Sequence, residues 1–114
     1  MKVVINKCFG GFGLSHAAIM RYAELSGFEL YIKEYKFSFT HYYTSPDKND
    51  DSYFSLYDMK RDDPILAQVV EELGAAANGP YANLKVVEVP EDVKWYIDEY
   101  DGIENIHEEH RSWG

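Results

Sequence analysis

The residues best suited to chemistry crowd together near the N-terminus, in NKCFGGFGLSHAA, Asn6 to Ala18. Gly10, Gly11 and Gly13 alternate with Phe9 and Phe12, follow Cys8, and run into Ser15 and His16. A strand, a glycine-rich loop and a helix start, in that order, make a recipe for binding an anion. Free N–H groups and the positive end of the helix dipole converge there. The phenylalanines add faces on which a base can stack. The loop carries neither the Lys-Ser/Thr ending of a P-loop nor a G-x-G-x-x-G fingerprint. A second reading therefore stands beside the first. The glycines permit positive φ in a strand-to-helix corner, and Phe9 and Phe12 plug the core. Cys8 has no base and no orienting group in the motif, so it reads as a small structural hydrophobe.

Two other stretches invite the same question. GAAANGPYANL, Gly74 to Leu84, is either a helix end with a turn at Asn78-Gly79-Pro80 or a loop that closes on a ligand. In the second case Tyr81 stacks and Asn83 reads a base edge. HRSW, near the C-terminus, contains Arg111, which shares the chain's arginine content with Arg21 and Arg61 alone. An arginine in an acidic protein is an ion-pair partner or a bidentate phosphate ligand. His107 and His110 would share a face if their segment were helical, with Glu104, Glu108 and Glu109 nearby. No further Cys or His has metal spacing, and no G-x-S-x-G context is present. No catalytic residue, metal site or cofactor is assigned.

These groups need elements to hold them. Lys2 to Asn6 reads as a short strand, β-branched enough to be buried on both faces. Ser15 is an N-cap for a helix over His16 to Ser26, with Gly27 as its stop. Phe28 to Thr44 alternates as a strand, but its phase flips, which demands a bulge or turn near Glu34. SPDKNDDS, Ser45 to Ser52, is a polar loop, and Tyr53 to Tyr57 a short strand candidate. Asp63-Pro64 opens the second helix, whose buried stripe is Ile65, Leu66, Val69, Val70 and Leu73. Leu84 to Val89 and Lys94 to Tyr100 read as strands. Asp101-Gly102 is a hairpin turn, with Ile103 to Trp113 returning as a strand or, alternatively, as a helix. The expected fold class is α+β: two helices packed on a mostly antiparallel sheet, in a single domain over residues 1–114.

Composition narrows the partners. The chain has 114 residues and a net charge of −9, with its acids concentrated between Glu88 and Glu109. Such a chain is a poor binder of DNA or RNA polymers, whose affinity comes from cations displacing counterions. The acids read as a solvated surface, with DNA mimicry as a sharper alternative. No apolar run is long enough for a membrane span and the N-terminus has no signal-like block, so a cytosolic protein without a membrane partner is expected. One cysteine leaves no internal disulfide framework. Ten tyrosines suit an interface, so a homo-oligomer is expected.

Nearly the full length of the chain also resembles a group of small phage-encoded proteins. They share GGFGLS (Gly10 to Ser15 here), VVEELG with ANG (Val69 to Gly74 and Ala77 to Gly79), and a C-terminal stretch of the form EYDGIE…EKHR.W ending at Trp113. In size and layout the group looks like the first type of Thoeris anti-defence protein. That resemblance implies an oligomeric phage protein acting in the host cytosol. It would sequester a cyclic ADP-ribose-type or cyclic-oligonucleotide immune signal without degrading it, using aromatic, Asn and Arg residues. This chain has His107-Glu108-Glu109-His110 where the group has Glu-Lys-His, so no role for that lysine carries over.

By residue type and region, the ligand-binding candidates are Phe9, Gly11, Phe12, Gly13, Tyr81, Asn83 and Arg111. The leading expectation is a non-enzymatic protein that sequesters a small nucleotide-type ligand. The alternative is an acidic, tyrosine-rich inhibitor that docks on a host protein.

Overall fold

The computed structural model describes residues 1–34 and 40–109. Two helices and six strands give an α+β fold: β1 (Lys2–Asn6), α1 (His16–Ser26), β2 (Tyr31–Glu34), β3 (Thr40–Tyr43), α2 (Pro64–Leu73), β4 (Leu84–Glu88), β5 (Trp95–Tyr100) and β6 (Ile103–Glu108). The strands do not merge into one sheet. Among the described residues they form three antiparallel ladders, β1 with β4, β2 with β3, and β5 with β6.

The strand β1 explains this division. Its β-branched run is buried on both faces, with Val3 and Val4 fully inaccessible to solvent. Val4 faces one core, built with Ile19 of α1 and Leu66, Val69 and Val70 of α2. Val3 and Ile5 face another, closed by Trp95, Ile97 and Ile106 of the β5–β6 hairpin. A fully buried side chain of this size contributes about 1.5–3 kcal/mol. The β4 strand pairs with one edge of β1 in the register Val4↔Val86. The other edge of β1 is met partly by non-strand groups: the Val4 N–H donates to the Arg61 carbonyl at 2.8 Å.

The helix signals operate as their chemistry requires. Ser15 Oγ accepts from the Ala18 N–H, and Gly27 closes α1 in the left-handed region at φ 83°. Asp63 caps α2 by accepting from the Ile65 N–H, with Pro64 in the first turn. Leu66, Val69 and Val70 of the expected stripe are buried, while Ile65 and Leu73 are half-buried at its edges. The expected strand over Phe28 to Thr44 lies partly outside the described residues, at 35–39, and its described parts pair with each other. β2 ends at Glu34 and runs antiparallel to β3, which starts at Thr40. Asp101 (φ 48°) and Gly102 (φ 90°) form the β5–β6 hairpin turn with two consecutive positive φ values, as an Asp-Gly pair permits.

One expected element differs. Tyr53 to Tyr57 is not a strand: Tyr53 makes a single bridge to Tyr43, and Leu56–Asp58 form a 3-10 turn. A five-residue strand with no second ladder to join gains too few hydrogen bonds to extend. The last segment is a strand, which ends at Glu108. His107 therefore sits on a ribbon rather than on a helix, and residue 110 lies outside the described set. Among the described residues, no helix is long and apolar enough to cross a membrane.

The two helices are also tied by a phenol. The Tyr22 hydroxyl of α1 donates to Asp63 Oδ2, the cap of α2. Burial first, and then the Asp63 carboxylate, push the Tyr22 hydroxyl up to about 12 from 10.0. The folded chain thus holds this proton more tightly than the unfolded one. The stabilisation is complete below pH 10.0 and is lost as pH rises toward about 12. Denaturant midpoints measured between about pH 10 and pH 12 should fall with pH, and Tyr22→Phe should flatten that fall.

Candidate functional site

The glycine loop, the turn at Pro80 and the β5–β6 hairpin enclose a cleft of about 1000 Å³. Gly10, Gly11 and Phe12 line it together with Tyr42, Phe54 and Met59 and with the hairpin residues Ile97, Glu99 and Gly102. Arg61 and Glu104 also line it.

A buried polar network holds these walls. Asn6, the last residue of β1, is fully buried. Its Nδ2 donates to the carbonyls of Cys8 and Gly102, both at 2.7 Å. Its Oδ1 accepts from the Asn83 N–H at 2.8 Å and the Cys8 N–H at 3.2 Å. One side chain thus pins the start of the glycine loop, the hairpin tip and the loop before β4. The Asn6 N–H donates to Glu104 Oε1 at 2.8 Å. Glu104, 6% exposed, also receives a bidentate pair from Arg61, at 2.6 and 2.8 Å. The Arg61 guanidinium carbon then stands 3.6 Å from the centroid of Phe12. A charge-assisted fork of this kind fixes orientation as well as energy. Phe12, Arg61, Glu104 and Asn6 form one connected chain from the cleft wall to β1.

Close approach, rather than positive φ, explains Gly10. A Cβ there would stand 2.1 Å from Tyr81 Cβ. Gly102 needs both freedoms, since its Cβ would lie 2.3 Å from the Phe9 carbonyl oxygen and its φ is 90°. The three loops are therefore packed backbone to backbone. The corner reading and the ligand reading of the glycine loop are compatible. The packing uses the missing side chain of Gly10, and the N–H groups of Gly10 and Phe12 donate to no other described residue.

The start of α1 is occupied differently. Ser15 N–H donates to the Ala77 carbonyl at 2.9 Å and Ser15 Oγ to that of Ala76 at 2.6 Å. The helix's first turn therefore faces the Gly74–Ala77 turn. From α1 the cleft takes Ile19, together with Tyr42, whose hydroxyl lies 2.7 Å from His16 Nδ1. Burial raises the Tyr42 hydroxyl above its usual value.

Of the candidates named from sequence, Gly11 and Phe12 line the cleft. Phe9 (70% exposed) and Tyr81 (74% exposed) stand outside it, each next to a lining residue, Gly10 and Pro80. Gly13 accepts from the Gly79 N–H at 3.0 Å, which joins the two loops. Asn83 is exposed, and its backbone pairs with Lys7 and with the Asn6 side chain. Arg111 lies outside the described residues.

Sequence reasoning missed Asn6, Tyr42, Arg61 and Glu104. A signal existed for Glu104: the Asp-Gly turn and the alternation of Trp95, Ile97 and Ile106 set it on the inward face of the hairpin. Asn6 closes a β-branched strand with a polar residue. Among the described residues, no group of three or more His, Cys, Asp or Glu is gathered to hold a metal ion. Comparison with protein-family models, curated proteins and solved structures gives no significant match.

Proposed function

We propose that this cleft binds a small nucleotide-type ligand and releases it unchanged. In this reading the protein is a phage anti-defence sponge for a cyclic nucleotide or a cyclic ADP-ribose-type immune signal. The observation that carries the reading is the composition of the cleft wall. The rings of Phe12, Tyr42 and Phe54 line the cleft with Gly10, and the backbone N–H groups of Gly10 and Phe12 donate to no other described residue. Rings stack on the former and phosphate or carbonyl oxygens accept from the latter. The volume of about 1000 Å³ lies at the upper end for small-ligand sites.

Binding without reaction follows from how the two acids are held. Glu104 receives hydrogen bonds from Arg61 and Asn6, and Glu99 Oε1 accepts from the Gly102 N–H at 2.7 Å. Both carboxylates are already engaged in bonds that position the cleft walls, and neither is assigned as a general base. Arg61 is already neutralised by Glu104, so the amides meet the ligand's oxygens, with Arg111 as the candidate for added charge. A homo-oligomer belongs to the same reading. Light scattering that gives only a 13.2 kDa species at micromolar concentration would remove that part.

A thermal-shift screen across cyclic nucleotides, cyclic dinucleotides and ADP-ribose isomers tests the reading. A true ligand raises the melting temperature by mass action. Phe12→Ala should weaken its binding by about tenfold or more, as expected for a lost stacking face. No shift with any nucleotide would sink the proposal, as would unchanged binding in Phe12→Ala, Asn83→Ala and Arg111→Ala together.

A further inference from the structure

The outer face of the β5–β6 hairpin has a composition that the cleft does not use. Alternation places Tyr96, Asp98 and Tyr100 on one side of β5, opposite His107, Asn105 and Ile103 of β6. Tyr96 is 51% exposed and Tyr100 is 76% exposed. The Asp98 side chain between them is 67% exposed. His107 stacks on Tyr96 with ring centroids 5.6 Å apart, and its Nε2 lies 3.7 Å from Asp98. The imidazole thus braces one end of the row, while Tyr100 stands clear at the other. From Trp95 to Glu109 the chain carries no Lys or Arg, although Lys7 reaches the β6 edge of the face, where its Nζ donates to Asn105 Oδ1 at 2.6 Å.

The exposed aromatics extend past the hairpin. The hairpin tip abuts the glycine loop at Phe9, and that loop abuts the turn bearing Tyr81. Among the described residues, the large exposed apolar side chains are Phe9, Tyr53, Tyr81, Tyr96 and Tyr100. Tyr96 and Tyr100 lie on this hairpin, Phe9 on the loop that its tip meets, and Tyr81 on the turn beyond that loop. Concentration of such side chains in one region marks an interaction site, whereas isolated ones need no explanation.

We infer that this hairpin face docks an arginine-rich segment of a partner protein. Alternate residues on a strand stand about 7 Å apart, so a guanidinium paired to Asp98 comes within about 6 Å of the Tyr100 ring. A planar guanidinium pairs bidentately with a carboxylate and stacks on an aromatic face, and an ammonium does the first poorly. The acids around the row steer cations toward it and repel nucleic acid and anionic lipid surfaces. This inference does not depend on the cleft reading, because the face and the cleft lie on different sides of the hairpin strands.

The test is a fluorescence-anisotropy titration of the full chain with labelled nona-arginine and nona-lysine peptides at about 0.15 M salt. The arginine peptide should bind several-fold more tightly than the lysine peptide. Tyr96→Ala and Tyr100→Ala keep the net charge, yet each should weaken the arginine peptide about fivefold to tenfold. Asp98→Asn should weaken it more than Glu91→Gln, which removes the same charge in the loop between β4 and β5. Thermal melts check that each variant is folded. Equal binding of the two peptides by the wild-type chain would overturn the inference, leaving attraction to the net charge alone. Unchanged binding in both tyrosine variants, or no binding at all, would overturn it too. Cleft-ligand binding unaltered in Tyr96→Ala would keep the two sites separate.

Discussion

Val69→Asp should abolish folding. Val69 is fully buried on α2, between Leu66 and Val70 and against Val4 of β1. A carboxylate at that point has no cation to pair with. The cost of burying it is several kcal/mol, comparable to the whole margin of about 5–15 kcal/mol for a small domain. Val69→Ala keeps the helix and loses two methyl groups, so it should fold with about 2 kcal/mol less stability. Far-ultraviolet circular dichroism and a denaturant melt on both variants separate the charge from the cavity. A soluble, cooperatively melting Val69→Asp would show that the helix does not pack through this stripe.

Arg61→Met has the next largest effect, because it strands a buried charge. Glu104 would keep the Asn6 N–H as its partner and lose both guanidinium bonds. Breaking one side of a buried pair costs about 3–5 kcal/mol, mostly the desolvation of the group left behind. Glu104→Gln alone leaves Arg61 without its carboxylate but preserves an acceptor for Asn6. The double variant, Arg61→Met with Glu104→Gln, should be more stable than the sum of the single losses predicts. Denaturant midpoints of the four proteins measure that coupling. Strict additivity would mean the fork contributes nothing to holding the hairpin against β1.

The parts of this fold that were legible in the sequence are those set by local chemistry. Ser15, Gly27, Asp63 and Pro64 mark helix ends through caps that need no partner from elsewhere. The β-branched run of β1 correctly implied burial on both faces, and Asp101-Gly102 gave the hairpin. The site was less legible because its supports are long-range. Asn6 reaches Gly102 and Asn83, and Arg61 reaches Glu104, across large separations in sequence. No periodicity encodes which buried carboxylate meets which arginine. The glycine loop illustrates the same limit. Its residues announced a corner or a ligand site, but the packing of Gly10 on Tyr81 and of Gly102 on Phe9 depends on loops brought in from elsewhere. Tyr53 failed as a strand for a related reason, since a ladder partner is a tertiary fact.

The central claim is that the cleft takes a nucleotide-type ligand and returns it intact. Equilibrium dialysis against the ligand that gives the largest thermal shift, followed by denaturation and mass spectrometry of the recovered small molecule, measures this directly. Saturable binding and full recovery at the original mass are expected. Recovery of a cleaved or transferred product would contradict it and make the protein an enzyme.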